Sequence, residues 1–307
     1  MRKITFWLLT PALALMLMAV WGCGANTAST DEGNQLITAA YKQKDYQRLL
    51  TLADSLEHSG DLITSTANYW KGYASDRLKQ KDAAVGYWQA AIDAAAKSDS
   101  EENLDIYVKA ASRLANLLCL SGDYEGTLSM AQPVTERLEQ LKCDSTSDYI
   151  NLLIYIGLSQ VSTGVSEEDA QVGFLRACRK HRENIDNRKT DDAYKDAIAG
   201  LVNIAYYCVQ AGKYESALYY TSNFGDLLIE YEQRTGVDQK YVDRQVGRYT
   251  IYKAWALDHT GRKQEAAETY KAFLATYFST TPEGQKLAAN YQEGLNSGEL
   301  KEEQQIE

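Results

Sequence analysis

Three histidines, His58, His181 and His259, are the side chains best suited to hold a metal or move a proton near neutral pH. They are scattered along the chain. None forms the H-x-x-H or H-E-x-x-H spacing that brings two imidazoles onto one helix face, which speaks against a zinc centre. Beyond Cys23, four cysteines remain, Cys119, Cys143, Cys178 and Cys208, and none belongs to a C-x-x-C pair. Cys119, Cys178 and Cys208 stand among apolar residues in helical patterns and read as small buried hydrophobes. An oxidising compartment would permit disulfides, but the spacings select no pairing. The chain has no G-x-S-x-G elbow, phosphate-cradling glycine loop or dinucleotide fingerprint, and nothing marks a Cys–His nucleophile pair. Acidic clusters at Glu101-Glu102, Glu167-Glu168-Asp169 and Asp191-Asp192 fall at predicted helix starts. There they complement the helix dipole, a better account of them than calcium binding or acid–base work. The expectation is a protein that is not an enzyme and needs neither metal nor cofactor.

One cysteine has a different setting. The chain opens MRKITFWLLTPALALMLMAVWGC, with Arg2 and Lys3 as a basic start and Ile4 to Val20 as an apolar run broken only by Thr5, Thr10 and Pro11. A basic start, a short apolar run and a small residue before the cut mark a secretory signal. The Gly22-Cys23 junction resembles a bacterial lipobox, which implies diacylation of Cys23 after removal of residues 1–22. The run falls short of the roughly 20 residues that a membrane span requires. The remainder is expected outside the cytoplasm, lipid-anchored in the bacterial envelope. Gly24, where an Asp would resemble an inner-membrane retention signal, points to the outer membrane, facing the periplasm. Residues 23–34, rich in small polar side chains, predict a tether.

Charge narrows the partners. Removing Arg2 and Lys3 leaves 30 basic against 42 acidic residues, a net charge of −12. An acidic chain without a basic cluster argues against nucleic acid, whose affinity rests on lysine and arginine neutralising phosphates. It argues equally against a polybasic membrane-surface mode.

The elements that would position any site are helices. Proline is scarce, at Pro11, Pro133 and Pro282, and strand signals are nearly absent. Short polar turns recur at Lys44-Asp45-Tyr46, Gln80-Lys81-Asp82, Gly122-Asp123-Tyr124, Gly212-Lys213-Tyr214 and Gly261-Arg262-Lys263. Glycine suits a left-handed helix end, and Asp can accept the free N–H groups of the helix that follows. Ser166 to Asp169 resembles a capping box, and Thr281-Pro282 predicts a helix start. After each turn the same i, i+4, i+7 apolar face returns: Leu49, Ala53, Leu56; Ala84, Trp88, Ala91; Thr127, Ala131, Val134; Ala170, Phe174, Ala177; Ala217, Thr221, Phe224; Ala266, Tyr270, Phe273. Twelve or thirteen residues before each head but the first stands another small residue: Gly72, Ala115, Gly157, Ala205 and Ala254.

This pattern resembles the tetratricopeptide repeat (TPR), a paired-helix unit with small residues at the helix contacts. The resemblance covers about Gln35 to Tyr291. It implies an all-α, right-handed TPR-type superhelical solenoid of about six helix pairs over 35–296, with a capping helix at Pro282 to Leu295 and a charged tail at 297–307. The heads are spaced 35, 43, 43, 47 and 49 residues apart, longer than the usual repeat. That length implies extended helices and loops at Lys142 to Ser147 and Lys180 to Thr190. Pro133, inside a predicted helix, should kink it.

The resemblance also implies a site. TPR arrays bind an extended peptide or partner helix along a face lined by the first helix of each pair. Carried over, that face includes Tyr69, Tyr73, Asp76, Arg77, Lys109, Ser112, Asn116, Asn151, Tyr206, Gln210, Arg248, Trp255, Asp258 and His259. Its strongest members are Tyr69, Tyr73, Arg77, Asn116, Tyr206, Arg248, Trp255 and His259, since aromatic and arginine side chains dominate binding hot spots. The implied function is an envelope-tethered scaffold for a protein or peptide partner. The repeats are also similar to periplasmic TPR sensor regions, which leaves an extracytoplasmic ligand-sensing module open. Aromatic faces leave glycan binding as a further alternative. One scaffold hosts many functions, so the fold alone does not choose.

Overall fold

The structure is a computed structural model that describes residues 28–166, 172–234 and 236–297. The signal segment, Cys23, Ala170 and the tail from 298 lie outside the described residues, as does most of the Ser166 to Asp169 cap. Among the described residues every regular element is helical. The helices are α1 (Asp31–Lys42), α2 (Tyr46–Ser59), α3 (Thr64–Arg77), α4 (Lys81–Ala95), α5 (Glu101–Leu120), α6 (Tyr124–Gln140), α7 (Ser147–Ser162), α8 (Gly173–Arg188), α9 (Asp191–Gln210), α10 (Tyr214–Tyr220), α11 (Phe224–Glu232), α12 (Gln239–His259), α13 (Lys263–Leu274) and α14 (Pro282–Ser297). A 3-10 turn, Tyr277–Thr280, precedes α14. No helix among them is long and apolar enough to cross a membrane.

The chain divides into two compact units between Asn103 and Leu104. In unit 1, α1 packs on α2, α2 on α3 and α3 on α4. The core is Ile37 and Ala40 from α1, Leu49, Ala53 and Leu56 from α2, Leu62 from the turn, and Ala67, Tyr73 and Ala74 from α3. In unit 2, α9 packs on α7 and α12 as well as on α8, α10 and α11, so first helices of successive pairs lie side by side. This neighbour-on-neighbour packing is that of an α-solenoid. α14 covers α12, burying Leu287 and Tyr291.

The predicted apolar faces are buried where they are described, except at Tyr270, which is half-buried. Leu49, Ala53, Ala84, Ala91, Thr127, Ala131, Phe174, Ala177, Ala266 and Phe273 lose essentially all contact with solvent, as do Ala115, Ala205 and Ala254 on the opposing helices. Burying such faces against a neighbour is the main stabilising term for helices of this length.

One turn joins the two helices of each of six pairs, and the same closure also ends α2 at Gly60 and α6 at Lys142. Lys44, Lys79, Gly122, Gly164, Gly212 and Gly261 take positive φ, between 55° and 95°. The N–H of the residue after each reaches back five positions, in Asp45 to Ala40, Gln80 to Ser75, Asp123 to Leu118, Val165 to Gln160, Lys213 to Cys208 and Arg262 to Leu257, at 2.7–3.3 Å. This left-handed closure satisfies carbonyls that a helix end leaves free. Asp45 and Asp123 then cap α2 and α6 through the N–H groups of Arg48 and Gly126. At the second turn the left-handed residue is Lys79, and Asp82 lies inside α4 rather than capping it. A Gly122→Ala chain is expected to lose about 1 kcal/mol, the cost of forcing a Cβ into the left-handed region. Urea unfolding of unit 2 checks this.

Four expectations need correction. Residues 31–34 are the first turn of α1, not tether: Thr30 caps Gly33, and Ser29 hydrogen-bonds through its N–H and hydroxyl to Glu102 at 2.7 and 2.5 Å. Residues 180–188 are the last two turns of α8, held because His181 and Ile185 continue the buried stripe of Ala177. The helix expected through Ala217, Thr221 and Phe224 is two helices, α10 and α11, separated at Thr221 to Asn223, although all three side chains are buried. There the Thr221 hydroxyl donates to the Ala217 carbonyl at 2.6 Å, a side-chain bond to backbone that competes with helix continuation. Finally, α14 runs to Ser297, into the segment expected as tail.

Candidate functional site

In unit 1 the spacing of α3 puts Tyr69, Tyr73 and Arg77 on one face, four residues apart. Tyr73 is 5 % exposed and Tyr69 8 %. Tyr73 sits in an aromatic cluster with Tyr41 of α1 (5.4 Å between centroids), Tyr46 of α2 (6.3 Å) and Trp70 (5.9 Å). Tyr69 packs edge-on to Trp70 at 5.3 Å. Arg77 lies over the Tyr73 ring, 5.1 Å from its centroid, and its Nε donates to the Tyr73 hydroxyl at 3.2 Å. Burial pushes the Tyr73 phenol up despite that guanidinium. Tyr69 and Tyr73 are therefore core residues whose ring faces are covered by protein. Tyr41, 40 % exposed, is the open member of the cluster.

Unit 2 brings together residues far apart in sequence. Asn116 on α5 donates through Nδ2 to the hydroxyl of Tyr155 on α7 at 2.6 Å, and to that of Tyr207 on α9 at 3.1 Å. The two phenols lie 3.1 Å apart and their rings meet edge-to-face at 5.3 Å. Tyr206 extends the surface, 5.1 Å from Tyr207 and 5.4 Å from Tyr252 of α12. Burial raises both hydroxyls' proton affinity, Tyr155 well above the ordinary tyrosine value. The guanidinium of Arg113 acts on Tyr155 and that of Arg248 on Tyr207, each in the opposite sense and more weakly. Both phenols therefore stay neutral near pH 7 and are available as hydrogen-bonding groups.

Along α12 lies a second aromatic group. Trp255, 2 % exposed, meets Tyr291 of α14 at 5.4 Å and lies parallel to His259 at 5.8 Å. His259 also stacks on Tyr214 at 4.4 Å. Arg248 and Arg244 both face Glu283, at 3.9 and 3.0 Å. Trp255 belongs to the packing of α14 on α12, and His259 covers its edge.

Of the eight residues singled out from the sequence, Tyr69, Tyr73 and Trp255 thus fill cores. Arg77, Asn116, Tyr206, Arg248 and His259 remain half-buried, with part of each reaching solvent. Tyr155, itself only 7 % exposed, and half-buried Tyr207 complete the network around Asn116, with the charge of Arg113 acting on Tyr155, and none of the three was singled out. The Tyr206-Tyr207 doublet was their one sequence signal. Among the described residues no group of three or more His, Cys, Asp or Glu is placed to hold a metal ion. Burial raises the thiols of Cys119 and Cys178, the latter to about 11, which keeps both protonated. No protein-family model matches the chain, and no curated protein matches it.

Proposed function

We propose that the chain is a TPR-type scaffold of the bacterial envelope, anchored by a lipid on Cys23. In this reading the helix pairs form a right-handed superhelical array of about six, capped by α14. The protein acts by binding, not catalysis, and its partner is an extended protein or peptide segment received on the face of unit 2 that α5, α7, α9 and α12 supply.

The observation that carries this reading is the amide of Asn116 clasped by the hydroxyls of Tyr155 and Tyr207 across 39 and 91 residues of sequence. A network of this kind fixes side chains before any partner arrives, and pre-ordered groups cost less to bind. Beside it, Tyr206 offers a broad ring face with a polar tip, and Arg113 and Arg248 add positive charge. The anchor rests on the basic start, the short apolar run and the Gly22-Cys23 junction.

Cross-linked pull-down from the native envelope tests the reading, with the wild-type chain set against an Arg113→Ala, Asn116→Ala, Tyr206→Ala variant. The expected result is one protein enriched by wild type and weakened roughly 150-fold in the variant, from about 1 kcal/mol lost for each of the three truncated contacts. Equal recovery by both chains would remove the unit 2 face from the proposal. Labelling with a radioactive fatty acid, lost in Cys23→Ser, tests the anchor separately.

A further inference from the structure

His181 lies on α8, 7 % exposed, with its ring laid against α9 at Gly200. A Cβ on residue 200 would collide with Nε2, so glycine is what leaves room for the ring. Unit 2 has two other seats of this kind, Phe174 on Gly157 and Phe278 on Gly247. Those rings are hydrocarbon and need no hydrogen bond. The imidazole has two nitrogens, and among the described residues neither Nδ1 nor Nε2 finds a hydrogen-bond partner. A phenylalanine would fill the seat without leaving polar atoms unsatisfied.

The charges on the surrounding elements are engaged elsewhere. On α8 itself, Arg176 pairs with Glu139 of α6, Lys180 with Asp144 and Glu183, and Arg182 with Glu230 of α11. On α9, Lys195 pairs with Asp191, and Asp196 accepts from Ser147 at the start of α7. On α7, Asp148 faces Arg113 and Lys109 of α5, and Tyr149 donates to Glu139. Cys178, one turn before His181, is a neutral thiol. Burial alone acts on the imidazole, and it pushes the proton affinity down to about 4 from the ordinary 6.5.

We propose that His181 is an acid-sensitive latch: protonation of its buried ring loosens the pairing of α8 with α9 and thereby the tyrosine face that α9 carries. An imidazolium has two N–H donors and a full charge, and among the described residues this seat supplies an acceptor for neither. Relief comes from water, which reaches the ring only when α8 lifts from Gly200. Tyr206 and Tyr207 stand on α9 less than two turns beyond that glycine, so the movement reaches Asn116 and Tyr155 through their shared hydrogen bonds. The folded ring binds a proton less readily than the unfolded one. The latch therefore holds above pH 6.5 and fails progressively as pH falls from 6.5 towards 4. None of this depends on what the face binds.

Hydrogen exchange on the full chain at pH 7 and pH 5, corrected for intrinsic rates, is the test. The opening constant of α8 and α9 is expected to rise roughly 20-fold between those pH values in wild type, from the displaced proton affinity. In His181→Phe the rise should disappear, and His181→Leu serves if the larger ring does not fit. The same rise, roughly 20-fold, in a folded variant would overturn the proposal. A nuclear magnetic resonance titration of the wild-type His181 ring decides independently. A midpoint near 4, or opening of α8 before the ring titrates, supports the latch, whereas a midpoint within about half a unit of 6.5 sinks it.

Discussion

Replacing Trp88 with alanine is expected to lower the stability of unit 1 by about 4 kcal/mol, the range for emptying a buried aromatic site. Trp88 is among the largest fully buried side chains in the protein. It enters from α4 and lies flat against α3 at Gly72. A Cβ there would stand 2.5 Å from its Cδ1 and 2.6 Å from its Nε1. Removing the ring leaves a void bounded by two backbones that cannot collapse without shifting a helix. Urea unfolding, followed by hydrogen exchange in α3 and α4, reads the loss locally. A local probe is needed because two compact units need not unfold in one step. The seat itself can be tested with a double-mutant cycle. Gly72→Ala should be costly while Trp88 is present and much cheaper in a Trp88→Leu background, giving a coupling of about 1 kcal/mol or more. Additive losses would show that glycine and ring are independent.

Gly173→Ala is expected to cost about 3 kcal/mol, at the upper end of overpacking penalties. Gly173 opens α8 against α7. A Cβ there would run into the carbonyl oxygen of Leu153 and stand 2.5 Å from the backbone nitrogen of Gly157. Both obstacles are main chain, so no side-chain rotation offers relief. α8 must lift, and with it the fully buried Phe174, the next residue. Gly86→Ala on α4 is the contrast, since no neighbouring atom lies within 4 Å of the added carbon. There the better helix former should stabilise by up to about 1 kcal/mol. Chemical denaturation of both variants measures the difference. Equal effects would mean that the α7–α8 contact is looser than its geometry indicates.

The helical periodicity made most of the fold legible, because a residue such as Ala84 or Ala131 must face a neighbour once its helix exists. Contacts across pairs were harder to see. α7 buries nearly everything from Tyr149 to Ser159 and α9 most of its length, so neither helix has the polar stripe that distinguishes an outer face. On first helices the TPR resemblance put Tyr69, Tyr73 and Trp255 on an open face, but neighbouring rings had already taken them. Tyr155 and Tyr207 went unseen because their partner, Asn116, lies 39 and 91 residues away. His181 looked like one scattered histidine, and only burial against Gly200 sets it apart. The tether was misjudged at Asp31 because small polar residues suit a helix cap as well as a linker, and Ser29 finds Glu102 only in the folded unit.

The six left-handed turns inside the pairs stand at 44, 79, 122, 164, 212 and 261, advancing by 35 to 49 residues at each step while their hydrogen-bond closure stays the same. All the variation in repeat length therefore falls outside these turns, in the helices and in the stretches between pairs, such as 97–100 and 141–146. The joint inside each pair behaves as a standard fitting, and the helices that meet at it are cut to length. A lineage can then gain or lose helical turns in this chain without rebuilding the joint of any pair.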